Sequence, residues 1–331
     1  MNGESMMTKK SPGKSERKGI SLIEIMRMFP DDDAAEKWFV NKRWPNGVNC
    51  PHCGSINVQT GAKHKTMPFR CREKECAKRF SAKTGTVMEG SKLGFQAWMI
   101  ATYQMTTSLK SVSSMKLHRD LNINQRSAWF LAHRIRTALT EKAAKFSGPI
   151  EVDETYFGGK RDRMHNSKRK QLEGRGTVGK TAVAGLKNRE SNKVTAKVVS
   201  RTDAATLQGF VAEHAEEGST VYTDEAKAYT GLPFNHGTVK HSVSEYVNGN
   251  IHTNGIESFW SMLKRAHKGT FHKMSPKHLD RYVQEFSARH NLRELDTREI
   301  IETVLSGMEH KRLKYDSLIA DNGLPSGARA A

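Results

Sequence analysis

"GPIEVDETYFGG", residues 148–159, is where the chain changes character. Upstream the apolar residues recur at helical spacing; here β-branched and aromatic residues alternate and the run ends in glycines, which reads as a strand. Outward from it, "TAVAGLKN" and "KVTAKVVS" make two further strands after a basic, glycine-containing stretch at 160–180 that reads as a mobile loop. "DAATLQGFVAEHAEEG" is an amphipathic helix, "STVYTDEAKAY" a strand with a turn, "GTVKHSV" a short strand, and helices follow from 254. The order β-β-β-α-β-(β)-α is that of an α/β, ribonuclease H-like fold.

Acids fall at telling places in that order. Asp153 follows "IEV" and Asp224 follows "TVYT", so both are expected at or near strand ends, where an open sheet presents ligands. Each has an acidic neighbour, Glu154 and Glu225; alternation favours Asp153 over Glu154, and a turn-forming role competes for Asp224. Glu257 comes 33 residues after Asp224 in "HTNGIESFWSMLKR" (252–265), where Glu257, Ser261 and Lys264 would share one helix face. Ile256, Phe259, Met262 and Leu263 would turn to a core, and Trp260 reads as core or as a stacking residue. Three gathered carboxylates repel one another unless cations neutralise them. Hard oxygen donors suit Mg²⁺, with Mn²⁺ able to substitute, and a pair of such ions clamps the attacking and leaving oxygens of a phosphodiester displacement. "NGIE" also has the form of a capping box, Asn254 as N-cap and Glu257 three residues on. Asn254 therefore competes with Glu257 for the third ligand place.

The four cysteines lie within 27 residues: Cys50 and Cys53 in "CPHCGS", then seventeen residues, then Cys71 and Cys76 in "CREKEC". That is zinc-ribbon spacing, and four thiolates close the shell of a structural Zn²⁺, leaving His52 and His64 as bystanders. Lys and Arg total 54 against 35 Asp and Glu, a net charge of +19 spread along all 331 residues, which favours a polyanion such as double-stranded DNA. No apolar run approaches the roughly 20 residues of a membrane span, and no hydrophobic signal core opens the chain, so a cytoplasmic protein is expected. "DDD" at 31–33 reads as a helix N-cap. "LGFQAWMIATYQM", "SVSSMKLHRDL" and "NQRSAWFLAHRIRTAL" read as three helices with a helix-turn-helix-like break at "LNIN", the last being the candidate DNA reader. The expected organisation is a disordered basic N-terminus (1–20), a helical lead-in and zinc ribbon (21–90), a helix-turn-helix-like region (91–147), the catalytic domain (148–315) and a C-terminal tail (316–331).

In their order along the chain, "RWPNGVNCPHCGS", "VDETYFGGK", "YTDEAKAY", "HTNGIESFWSMLKRAHKGTFH" and "YVQEFSARHNLR" resemble the IS1595 (ISXO2-like) insertion-sequence transposases. The resemblance implies a DDE-type catalytic domain behind a zinc ribbon, and excision and insertion of an element with terminal inverted repeats. It also implies a third ligand that is Asn or Glu with a lysine beyond it; Asp153, Asp224, Glu257 and Lys264 fill that pattern. Work on two DNA ends implies a homo-oligomer on DNA. The rival reading is a non-catalytic DNA-binding regulator built from the ribbon and helix-turn-helix, which leaves the acids without a role.

Overall fold

Helix ends in this chain are fastened by carboxylates, some local and some distant. The computed structural model describes residues 19–140, 145–159, 166–170, 176–239 and 252–326. Helix α1 (Leu22–Met28) opens on a capping box between Ser21 and Glu24, and α2 (Asp32–Arg43) on Asp31, whose side chain accepts from the Ala34 amide. The "DDD" run is thus an N-cap, as expected. Its second member does more. Helix α3 (Phe95–Thr107) begins after Gly94, which has no side chain to cap with, and Asp32 Oδ1 accepts from the Gln96 amide at 2.9 Å instead. A Cβ on Gly94 would lie 2.0 Å from that oxygen, so glycine permits the approach.

Between α2 and α3 lies a small antiparallel sheet, β1 (Val58–Gln59), β2 (Phe69–Cys71) and β3 (Arg79–Phe80). Trp44 packs edge-on against Phe69 and Phe80 behind it. Helices α4 (Ser114–Asp120) and α5 (Gln125–Leu139) follow, capped by Ser113 and Asn124, with Asn122 at φ +50° in the turn. The C-terminal half of α5 is buried from Leu131 to Arg136 and again at Ala138 and Leu139. Only its first turn, with Gln125 and Arg126, is exposed.

The second sheet has the order β6-β5-β4-β7-β8, with β4 (Ile150–Phe157) central, β5 (Thr181–Asn188) and β6 (Val194–Val199) antiparallel on one side, and β7 (Thr220–Asp224) and β8 (Asn235–Val239) parallel on the other. This is the ribonuclease H-like arrangement. A five-residue helix, α6 (Asn166–Lys170), occupies part of the stretch read as a loop, whose remaining residues 160–165 and 171–175 lie outside the described ones. Residues 1–18 of the basic N-terminus, 240–251 and 327–331 are likewise outside them. Helix α7 (Ala204–His214) covers one face, burying Leu207, Phe210 and Val211 against Val152, Ala184 and Leu186. Helices α8 (Asn254–Ala266) and α9 (Pro276–Asn291) cover the other, burying Ile256, Phe259, Leu263, Val283 and Phe286 against Phe157, Val183, Val194 and Ala196. A π-helical turn, His267–Phe271, joins the end of α8 to the run into α9.

Helix α9 reaches both cores. Its end places Ala288 with α3, α5 and α10 (Thr297–Ser306) in the first core, so the chain after α9 returns to the N-terminal half. A short helix, α11 (Tyr315–Ile319), lies near the C-terminus. The seam between α5 and α9 holds a buried ion pair, Arg136 Nε to Glu285 Oε2 at 2.7 Å, with side chains 2% and 0% exposed, and the guanidinium lies 4.0 Å from the Tyr282 ring centre. Removing Arg136 leaves Glu285 in a dry interior with only the longer contact to Arg289 at 3.6 Å, whereas removing both leaves no such carboxylate. Arg136→Met should therefore cost about 3–5 kcal/mol in denaturant unfolding, and Arg136→Met with Glu285→Leu should recover most of it. Additive losses in the double variant would contradict this account. Among the described residues no helix is long and apolar enough to cross a membrane.

Candidate active site

The four cysteine sulfurs converge at one end of the small sheet. All lie within 4.8 Å of one another, with Cys50 to Cys76 at 3.8 Å and Cys53 to Cys71 at 3.6 Å. Tetrahedral zinc–thiolate bonds of about 2.3 Å require sulfurs about 3.8 Å apart, so the cluster already has the size of the site. Burial and the neighbouring thiols push Cys71 up to about 12, so it becomes a thiolate only around a cation. His64 is engaged otherwise, its Nδ1 accepting from the Thr66 and Met67 amides.

The acidic cleft is built by sheet register. Asp153 stands opposite Gly185 on β5, two residues from Val183, and so shares the face covered by α8. Glu154 turns to the other face, where the Tyr229 hydroxyl donates to it at 2.7 Å. The choice between the two neighbours follows from that alternation. On the parallel side Glu151 is level with Tyr222, so by alternation Asp224, two residues on, turns to the same face as Asp153, and its charge reaches the Asp153 carboxyl. Asp224 ends β7 as expected. Asp153 does not end β4: it is the fourth of eight residues, because β4 runs on beside β5 after β7 has turned away. One Asp224 oxygen accepts from the Ala226 amide, a turn of the kind anticipated for it. Glu225 is exposed.

Helix α8 lies against β4 and β5, over the face that carries Asp153. Its ring-bearing face needs Gly185, where a Cβ would meet Trp260 Cζ2 at 2.4 Å. Glu257, Ser261 and Lys264 line a cleft of about 440 Å³ together with Asp153, Glu154, Thr155, Trp260, Arg265 and Lys268. Asn254 is exposed at the first position of the helix. The capping box read at "NGIE" does not form: Thr253 is the N-cap, without a side-chain cap bond, and its hydroxyl donates to Glu257 Oε1 at 2.8 Å. Arg265 and Lys268, one and four residues past Lys264, extend its cationic edge; the i,i+4 step from Lys264 was the available signal.

Asp153 is pushed up to about 7, by burial first, then by the charges of Glu154, Asp224 and, more weakly, Glu257. Burial also raises Glu154. A carboxylate raised by burial and then by like charges marks a site short of positive charge, and its donors are all hard oxygens. These properties fit a Mg²⁺-type ion.

Two family models match the chain: an ISXO2-like transposase domain over residues 145–291 and a transposase zinc-ribbon domain over 30–79. Together they match more than half of it, and the chain belongs to the IS1595 transposase family. A protein of Halobacterium salinarum described as an uncharacterized protein in transposable element ISH50 is 29% identical over 301 residues, 85% of this chain and 98% of that one. Among solved structures, a chain of the simian T-cell lymphotropic virus intasome in complex with PP2A regulatory subunit B56 gamma aligns over 58% of this chain and 65% of its own. It is 14% identical with a TM-score of 0.27, too low to bear on fold or function.

Proposed function

We propose that the protein is a DNA transposase that binds the terminal inverted repeats of an insertion sequence and carries out Mg²⁺-dependent strand cleavage and strand transfer. The observation that carries this reading is the cleft itself: Asp153 on the sheet, Glu257 on the helix above and a cationic edge of Lys264, Arg265 and Lys268 line it within an ISXO2-like transposase domain, and the charge of Asp224, on the neighbouring strand, reaches Asp153. Asp153, Asp224 and Glu257 would hold the ions, Mn²⁺ serving in place of Mg²⁺. Bound there, a pair of ions supplies the charge that stabilises the attacking and leaving oxygens of an in-line displacement. Asp153 and Asp224 orient that charge from rigid strands. Lys264 takes a DNA phosphate, with Arg265 and Lys268 alongside. Asn254 stands at the helix entrance, close enough in sequence to assist but neutral, and so second to Glu257 as third ligand.

Double-stranded DNA would reach the cleft across the basic ribbon and the exposed first turn of α5. Since most of α5 is core, Gln125 and Arg126 are the part of it able to meet a groove. Joining two ends requires two catalytic units, hence a homo-oligomer assembled on DNA, acting in the cytoplasm where the element's DNA lies. The single zinc per chain at Cys50, Cys53, Cys71 and Cys76 is structural.

Cleavage of DNA carrying the element's ends tests the assignment. Glu257→Gln should abolish Mg²⁺-dependent cleavage while the melting temperature stays within about 1 °C, since surface changes seldom exceed about 0.5 kcal/mol. Asn254→Ser should still cut. Normal cleavage by Glu257→Gln with a dead Asn254→Ser would reverse the two roles. Binding without cleavage by the parent protein would mark a regulator instead.

A further inference from the structure

We infer that Glu151 is a positioning residue for the active site: from strand β4 it fastens the N-terminus of α8 and thereby fixes where Glu257 stands over Asp153 and Asp224. This rests on the proposed metal site and concerns residues that are not themselves ligands. Glu151 is 2% exposed on the same strand face as Asp153, two residues before it. Its Oε2 accepts from the Ile256 amide at 2.9 Å, across 105 residues of sequence. That amide is one of the first-turn donors a helix cannot satisfy internally, and Thr253 caps none of them. A carboxylate there also meets the positive end of the helix dipole.

The other oxygen is held in turn. Arg189 Nε donates to Glu151 Oε1 at 2.8 Å, its guanidinium also donates to the His252 carbonyl just before the helix, and it lies 4.3 Å from the Tyr222 ring centre. Lys187 Nζ reaches the Gly255 carbonyl at 3.3 Å. Strand β4, strand β5 and the residue just after β5 thus grip three backbone groups at the helix entrance: the His252 and Gly255 carbonyls and the Ile256 amide. Gly255 is the residue that admits them: a Cβ would lie 2.6 Å from Glu151 Oε2 and 2.9 Å from Lys187 Nζ. Asp32, Gly94 and the Gln96 amide repeat the device at α3. Glu257 follows Ile256 directly, so displacing the gripped turn displaces its carboxylate.

Gly255→Ala is the discriminating variant. By helix propensity alone it should be neutral or stabilising, since alanine is the better helix former by about 1 kcal/mol. If the grip sets the site, it should instead weaken divalent-ion binding. Mn²⁺ affinity, read by electron paramagnetic resonance on zinc-loaded protein, should fall about 10–100-fold in Gly255→Ala and in Glu151→Gln, the usual range when a ligand's supporting partner is lost. Zinc content and circular dichroism should be unchanged in Gly255→Ala, which keeps the test sound if Glu151→Gln folds poorly. Parent-like Mn²⁺ affinity in Gly255→Ala, alongside weakened binding in Glu257→Gln, would overturn the positioning role alone. Parent-like affinity in Glu257→Gln would overturn the metal site on which it rests.

Discussion

Asp153→Asn should destroy strand cleavage and at the same time make the Mg²⁺-free protein more stable at pH 8. The two effects have one cause. The folded protein holds the Asp153 carboxyl at about 7 against an ordinary 3.8, through burial and the charges of Glu154 and Asp224. Between those values the native state binds the proton more tightly than the unfolded chain, so stability falls as pH rises through that window and the full cost is present above about 7. At about 1.4 kcal/mol per pKa unit the ceiling is about 4 kcal/mol, and about 2–4 is expected once relaxation of the site is allowed. Asparagine keeps the shape and carries no charge. At pH 8, in buffer with zinc retained and no Mg²⁺, Asp153→Asn should melt about 5–10 °C above the parent. At pH 4 the gap should close, because Asp153 is then protonated in the folded protein. Added Mg²⁺ should raise the parent's melting temperature and leave the variant's nearly unmoved. A variant that melts lower than the parent at pH 8, or that still cuts DNA, would contradict the role given to Asp153.

The elements most legible in the sequence were those whose signal is local. Cysteine spacing announced the zinc ribbon, alternation along "IEVDETYF" announced β4 and separated Asp153 from Glu154, and the apolar stripe of Ile256, Phe259 and Leu263 announced the buried side of α8. The errors lie where a distant residue took over a local task. "NGIE" carries the pattern of a self-capped helix, yet the cap comes from Glu151, and Gly255 is there to let it approach, not to begin a capping box. Nothing within a dozen residues of Gly255 encodes that contact. Asp153 was expected at or near a strand end, and only the register with β7 reveals that β4 continues past its parallel partner. Helix α5 has a helix-turn-helix pattern, but an amphipathic period cannot tell a groove-reading face from a core face, and its cationic Arg136 is spent on Glu285 inside the molecule. Glu151 and Arg189 gave no warning for the same reason: as sequence, they are two more charges in a highly charged chain.

Loss of zinc should unfold far more than the ribbon. Cys50 and Cys71 are each 1% exposed and belong to one continuous core with Trp44, Phe69, Phe80, Met88 and the buried faces of α2, α3, α5 and α10. Hydrogen bonds carry the connection further: the Arg43 guanidinium of α2 donates to the Ala82 carbonyl at 2.6 Å, the Val87 amide to the Met308 carbonyl at 2.9 Å and the His310 amide to the Gly85 carbonyl at 2.9 Å. Zinc binding contributes about 10–16 kcal/mol to folding in isolated finger peptides, as much as the whole stability of an ordinary domain, about 5–15 kcal/mol. No packing within so small a ribbon can offset that loss, and its collapse leaves α2 and α10 with an open apolar face. The central sheet has its own two cores, with α7 on one side and α8 on the other. Cys71→Ser, or chelation of the parent, should therefore strip hydrogen-exchange protection from α3 and α10 while amides paired between β4 and β5 keep theirs. Metal analysis should track the change, from about one equivalent of zinc per chain to less than about a tenth. Full protection of α3 in zinc-free protein would mean that the first core stands without its metal. Equal loss from β4 and β5 would mean that Ala288 and the Arg136–Glu285 seam weld the two halves into one cooperative unit.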